Sequence, residues 1–499
     1  MGLSEVAIGD QDLTIDEFSA VISGLATLRV SSEALERTAR GAAYVLERLR
    51  NETPTYGVNT GFGHASDRSV SPGEALALAQ GLVRYHGCGT GVLLSANESR
   101  AVVVARLVSL ARGYSAVRPA VLEALAALVN SEVYPCIPSE GSVGASGDLT
   151  PLSYVAALLQ GERRAWFQGE IVSASEALER AGLAPLELQP KESLAIMNGT
   201  SVMGGLLALA WPRARRLSRL SAAVTAFACE VMGGVAAHFH PKIFELKAHP
   251  GTVRAARWIR EGLQGASSKP LRLQDRYSLR CAPHVLGVLE DTLEFSVKWL
   301  TCELNGVNDN PLVDPDGGDV YHGGNFYGGH LCAVADSLKT ACANAAELLE
   351  RQLITLCDER ANGGLPAALL PEGDLTQHGF KAMQIGCSSL VAEALKTSLP
   401  TSVFSRSTEN HNQDKVSMGT IAARECLRVL ELSERVLVIE TIALAQAAQL
   451  NDPATHTGHA SATIHRWVRD SVPFTHKDRE FDEDIQSLER RLDELYSGL

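Results

Sequence analysis

The chain has 499 residues, with 45 lysines and arginines against 58 aspartates and glutamates, a formal charge of −13 and 45% hydrophobic residues. Nucleic acids and anionic membranes both present phosphate and reward a basic face, so this balance favours a small-molecule partner instead. The 43 glycines and 20 prolines are near average usage, which excludes collagen-like and low-complexity chains, and 5% aromatic residues suit Ala/Leu-rich helices better than sheets.

The first residues, MGLSEVAIGDQD, lack a basic start and an apolar core, and Val6 stands where a myristoylation signal needs Ser or Thr. Neither export nor lipid anchoring is expected. Ten cysteines without CxxC spacing read as reduced thiols of a cytoplasmic protein. Residues 14–50 alternate helical periodicity with short polar breaks, and TYGVNTGFGHAS (55–66) reads as a loop. A helix resumes over Ser99 to Leu110, with Val103, Leu107 and Leu110 on one face. The glycine-rich loop IPSEGSVGASGD (137–148) leads into a helix that Thr150 and Pro151 open as N-cap and first residue and Gly161 closes. Residues 162–190 form a small satellite region, where a hairpin around RAWFQGEIV is the main place for strands.

Beyond residue 200, long helices are predicted over 202–235, 284–304, 331–358 and 417–450. In the second, Leu286, Leu289, Leu293, Val297, Leu300 and Leu304 recur at three- and four-residue steps. Such lengths exceed the globular mean of about 11–12 residues and imply a bundle whose lateral surface favours oligomerisation. The apolar stretches 222–239 and 436–450 are broken by Glu230 and Glu440, so neither reads as a membrane span. A ratio of about 150 residues per domain suggests roughly three domains. The absence of a Pro/Gly/Ser linker points rather to one helical body: an N-terminal region over 1–200, a central bundle over 201–450 and a helical tail over 451–499.

Common catalytic signatures are missing. The glycines of HGCGTG (86–91) are wrongly spaced for a dinucleotide, Ser146 lies in GASGD rather than GxSxG, and the His238/His240 pair has no completing ligand set, so no metal is expected. The run Ala145-Ser146-Gly147 has a chemical reading of its own. In a compressed loop the Gly147 nitrogen can attack the Ala145 carbonyl, and loss of water, including the Ser146 hydroxyl, leaves an exocyclic methylene. That product is an electrophile, which no side chain supplies. Taken alone, the triplet is more commonly a tight turn.

The surrounding GSVGASGDLTPLS resembles the signature of the aromatic amino acid ammonia-lyase and aminomutase family, in which Ala-Ser-Gly becomes a methylideneimidazolone (MIO) group. YGVNTGFG (56–63), MNGTS (197–201), QDRYSLRC (274–281), NDNPL (308–312), GGNFYG (323–328) and NHNQDKVSMG (410–419) also match, in family order. The resemblance implies a mainly α fold, a long-helix bundle of the ammonia-lyase (fumarase/aspartase-like) type, assembled as a homotetramer whose sites are shared between subunits. It implies an MIO cofactor formed from Ala145, Ser146 and Gly147, and ammonia elimination from an aromatic amino acid. Ser146 would be the precursor of the methylidene carbon. Tyr56 would be the general base on a mobile loop, its proton affinity lowered by an electropositive environment. Arg280 would clamp the carboxylate with its planar fork. Asn198 and Tyr277 would position the amine and the MIO, and Gly63, Gln274, Asn325 and Phe326 would line the site.

Selectivity rests on Tyr85-His86 and on Gln413. In the family, His at the His86 position goes with a polar substrate ring, and histidine-specific members resemble one another in carrying Glu where this chain has Gln413. Tyrosine, converted to trans-4-coumarate, fits both. Glu409 offers an acidic contact that keeps histidine, converted to urocanate, as the alternative. A short segment between Pro250 and Gln274 favours a lyase over a tyrosine 2,3-aminomutase. Tyr85, Gly306 and Tyr327 depart from the usual family residues. A catalytically inactive helical scaffold is the non-enzymatic alternative, to be told apart by intact mass.

Overall fold

Apolar residues on every side leave a helix no solvent face. Ala96–Leu110 has this character in the computed structural model, which describes residues 4–266, 270–371, 376–451 and 457–499, and every residue from Ala101 to Leu110 is buried. A capping box fixes its start: the Ser95 hydroxyl accepts from the Glu98 N–H while the Glu98 carboxylate accepts from the Ser95 N–H.

The chain divides into two compact units. The first comprises Met1–Ala210, Val297–Asp336 and Pro400–Arg424. In it Ala96–Leu110 packs on helix Pro119–Asn130 and strand Val133–Pro135, and helix Leu149–Leu159 packs on Glu192–Met197 and Ala75–Tyr85. The expected hairpin is present: Arg164–Phe167 pairs antiparallel with Glu170–Ser173 through a turn in which Gln168 (φ 52°) and Gly169 (φ 82°) are both left-handed, the backbone that matches strand twist in a two-residue turn. Four further pairs were not expected. Ser4–Ile8 runs parallel to Ala26–Val30, while Thr90–Leu93 pairs with Pro138–Glu140, Val133–Pro135 with Arg164–Phe167 and Leu312–Asp314 with Asp319–Tyr321, all three antiparallel. Strands of three to five residues are too short for an alternating pattern to register.

Helix Leu149–Leu159 begins two residues earlier than the Thr150/Pro151 reading, with Asp148 at the N-cap position. Pro151 falls within the first turn, where no N–H is needed. Gly161 (φ 75°) follows the helix end as expected.

The second unit comprises Trp211–Ser296, Ser337–Leu399 and Glu425–Leu499. The four long helices, Ser201–Val231, Ala282–Leu304, Gly329–Cys357 and Gly419–Leu450, lie close to their predicted bounds, and each contributes residues to both units. The leucine stripe is buried at Leu286, Leu289, Leu293, Leu300 and Leu304, each burial contributing about 1.5–3 kcal/mol. Within the second unit Glu434 accepts from both Arg213 and Arg216 at 2.6 Å. Glu440 is wholly buried, with no partner for either carboxylate oxygen among the described residues, and burial pushes its pKa well above the usual range. Burial of an unpartnered carboxyl disfavours its charged form. Among the described residues no helix is long and apolar enough to cross a membrane, and no disulfide joins any of the ten cysteines.

Candidate active site

The Ala145-Ser146-Gly147 run is walled in by backbone. Gly147 (φ 68°) forms a parallel bridge with Gly199, and a Cβ on it would lie 2.1 Å from the Gly199 carbonyl oxygen. Only glycine fits, on both torsional and steric grounds. The next residue, Asp148, donates its N–H to the Gly199 carbonyl at 2.8 Å. Its fully buried carboxylate accepts from the N–H groups of Val202 (3.0 Å) and Met203 (3.1 Å), at the start of helix Ser201–Val231, and from the hydroxyls of Thr420 and Ser142. Burial outweighs these donors and raises the Asp148 pKa to about 6. On the other side of the loop, Met418 N–H donates to the Val143 carbonyl at 3.0 Å. The Ser146 hydroxyl accepts from Gln413 Nε2 at 3.0 Å, and Thr408 Oγ1 donates to Gln413 Oε1 at 2.9 Å, which fixes the orientation of the amide.

Ala145, Ser146 and Gln413 border a cavity of about 900 Å³. Asn198, 2% exposed, donates from Nδ2 to the Asn310 carbonyl at 3.0 Å, while its Oδ1 has no partner among the described residues. A buried acceptor on a cavity wall suits an ammonium donor. Two buried cations hold that wall. Arg106 donates to the carbonyls of Asn198 (3.0 Å) and Asn308 (3.2 Å), and Lys191, which precedes helix Glu192–Met197, pairs with Asp309 at 2.7 Å with both side chains inaccessible. Burial lowers the Arg106 pKa to about 10 and that of Lys191 below the lysine range, with Asp309 opposing both shifts.

Tyr56 borders the same cavity. Its loop is tied internally, Thr55 N–H donating to Asn59 Oδ1 at 2.7 Å and Gly57 N–H to Thr60 Oγ1 at 3.2 Å. The Tyr56 hydroxyl accepts from Gly63 N–H at 2.9 Å. Burial raises its pKa, the Gly63 N–H opposes the rise, and the Glu409 carboxylate adds to it. Among the described residues of this unit, the Gly63 backbone amide is the one group that lowers this pKa, in place of the electropositive environment expected from the sequence. His86 approaches the Leu82 carbonyl with Nδ1 at 3.0 Å, so Nδ1 carries the proton, and burial lowers its pKa. In the neutral ring Nε2 is left as an acceptor. Tyr85 packs against His86 with ring centroids 4.3 Å apart, and burial raises its phenol to about 12.

Of the residues singled out from sequence, Tyr56, Gly63, Tyr85, His86, Ala145, Ser146, Asn198, Phe326, Glu409 and Gln413 border this one cavity. Gly147 sits behind the wall, and Asn325 turns away to donate to the Val307 carbonyl at 3.2 Å. Gln274, Tyr277 and Arg280 belong to the second unit and are absent from the cavity lining. There Arg280 stacks over the Tyr277 ring at 4.8 Å and donates from Nε to the Asp275 carbonyl. Sequence reasoning assigned no role to Asp148, Arg106, Lys191, Asp309 or Asn310. Asp309 and Asn310 lie inside the NDNPL motif and Asp148 directly follows the triplet, so those signals were present; Arg106 and Lys191 carried none. No cluster of three or more His, Cys, Asp or Glu side chains that could hold a metal occurs among the described residues.

The family model for aromatic amino acid lyase matches residues 13–470. Histidine ammonia-lyase of Deinococcus radiodurans is 37% identical over 495 residues, covering 98% of this chain and 93% of the relative. Tyrosine ammonia-lyase of Cereibacter sphaeroides is 36% identical over 507 residues, covering 97% and 96%. The crystal structure of a tyrosine aminomutase from Streptomyces globisporus superposes with a TM-score of 0.95 at 33% identity, covering 99% of this chain and 98% of that one.

Proposed function

The chain belongs to the aromatic amino acid lyase family and is a carbon–nitrogen lyase, and from that premise we propose that it eliminates ammonia from L-tyrosine to give trans-4-coumarate. The observation that carries the choice of substrate is His86. With Nδ1 committed to Leu82, the neutral ring offers Nε2 to a phenolic O–H. Facing it with the unsubstituted ring of phenylalanine would leave a buried acceptor unpaired, at a cost of about 1–3 kcal/mol.

The remaining roles follow from position. The Ala145-Ser146-Gly147 triplet, matured to an MIO group, would supply the electrophile that turns the amine into a leaving group. The glycine-only enclosure of Gly147, the Gln413 contact to the Ser146 hydroxyl and the orphan Asn198 oxygen all suit such a group. Tyr56 takes the β-proton, with the Gly63 N–H steadying the phenolate. Asn198 Oδ1 accepts from the substrate ammonium. Among the described residues no arginine lines the cavity; the carboxylate clamp Arg280, with Gln274 and Tyr277, would be supplied by a second copy in the homotetramer that the family resemblance implies. Mixing Arg280→Met with Tyr56→Phe protein under conditions that exchange subunits should then restore activity in part.

Histidine is the second reading, favoured by the identity with histidine ammonia-lyases and by Glu409 at the cavity. The deciding experiment is a parallel assay on tyrosine, phenylalanine and histidine, with the products resolved by chromatography so that β-tyrosine would reveal an aminomutase. Tyrosine should exceed phenylalanine in kcat/KM by on the order of 10–200-fold, and His86→Leu should erase the difference. A tyrosine preference that survives the substitution rejects the His86 argument. Intact mass about 36 Da below the sequence mass, two waters, checks maturation and excludes the inactive scaffold.

A further inference from the structure

Glu409 lies 345 residues from His64 in sequence, yet its two carboxylate oxygens accept from the His64 backbone N–H at 3.1 and 3.0 Å, and its Oε1 also meets His64 Nδ1. Asn412 donates to the same carboxylate. The approach requires Gly63: its φ is 56°, and a Cβ there would stand 2.5 Å from the carboxylate. Glu409 is itself the first of three successive left-handed residues, with Asn410 and His411, in a loop closed by the Thr408–Gln413 bridge. Left-handed backbone at non-glycine residues is costly and persists where the surroundings impose it.

The contacts form one continuous path. The Tyr56 hydroxyl accepts from Gly63, His64 next along the chain is gripped by Glu409, and the Glu409 loop ends at Gln413, which donates to Ser146. We propose that Glu409 is a positioning residue, a latch that fixes the Gly63 N–H against the Tyr56 hydroxyl and so couples the Tyr56 loop to the Ser146 loop, rather than a substrate contact. Its oxygens are already engaged by His64 and Asn412, which leaves it poorly placed to receive a substrate ring. The proposal rests on the reading of Tyr56 as the base.

The latch also has an electrostatic face. Tyr56 is faced by Glu409 and Tyr85, Glu409 by His64, and the same cavity carries His86, His322, Asp414 and Lys415. The Glu409 charge opposes ionisation of Tyr56, and the base is active as the phenolate. Glu409→Gln keeps an acceptor for the His64 N–H and removes the charge. The acidic limb of kcat/KM should therefore move to lower pH, by on the order of 0.5 unit, with the plateau kcat within a few-fold of the parent. Glu409→Ala removes the grip as well, and kcat should fall on the order of 10²-fold while KM changes little. Ultraviolet difference titration against Tyr56→Phe should report the same displacement of Tyr56 ionisation without turnover. An unchanged mass deficit in both variants certifies that the Ser146 loop has folded. A rise in KM alone, or a limb and a titration that do not move in Glu409→Gln, overturns the latch. Full activity in Tyr56→Phe overturns the base reading instead, while the titration still judges whether Glu409 holds the loop.

Discussion

Two loops meet at the cavity and are held by different means. The 142–148 loop is bounded by backbone on either side, by Gly199 and by Met418, and anchored beneath by a buried carboxylate that also accepts from the first turn of helix Ser201–Val231. The 55–66 loop is tied mainly to itself through Asn59 and Thr60, and its tip is held by Glu409, whose side chain is 29% exposed. On the proposed mechanism the contrast follows from what each loop would do. A backbone that is to cyclise on itself needs compression from all sides before any substrate arrives, whereas a loop that is to deliver a base must also let substrate in and product out, which draws it from the weakly held part of the structure.

The contrast can be broken at several strengths. Gly147→Ala should have the largest effect, because the new methyl group meets the Gly199 carbonyl at 2.1 Å: the mass deficit should vanish and activity should fall by on the order of 10³-fold or more. Tyr56→Phe should lower kcat by about 10²–10⁴-fold, with the mass deficit retained; loss of the deficit would mean that the two loops are not separable. Lys191→Met strands the buried Asp309 carboxylate and should cost about 3–5 kcal/mol in denaturant unfolding. Substitutions at the exposed tip of the 55–66 loop should cost far less.

Asp148→Asn probes the same wall through pH. The folded-state pKa of Asp148 is raised, to about 6, so the native state holds a proton that the unfolded chain releases near pH 4. Its contribution to stability is therefore full below about pH 4 and is lost as pH rises through 6. Unfolding curves between pH 4 and 7 should show that slope in the parent and a flatter one in Asp148→Asn. An identical slope in the two proteins would place the buried proton elsewhere, with Glu440 the next group to test.

Much of the helical framework was legible because its signal is local. Leucines at three- and four-residue steps over 284–304 permit one reading, and the helix forms there. The short parallel pair Ser4–Ile8 and Ala26–Val30 was not legible, since five residues with burial on one side only at intervals resemble any loop boundary. Nor were the buried cations. Arg106 sits in an apolar helix and Lys191 in a polar stretch, and only the carbonyls and carboxylate brought to them from residues 198, 308 and 309 explain their burial.

By itself the sequence determined the long-helix spans and the family, because these are written in local periodicity and in contiguous motifs, and it nominated the Ala145-Ser146-Gly147 triplet as the candidate reactive group. Tertiary structure decided which motif residues share a cavity: ten of them do so within the first unit, while Gln274, Tyr277 and Arg280 do not. It also decided the environments of Tyr56, Asp148 and His86. A proton's free energy depends on burial and on charges delivered from distant parts of the chain, as Glu409 is to Tyr56, and no local pattern encodes those distances.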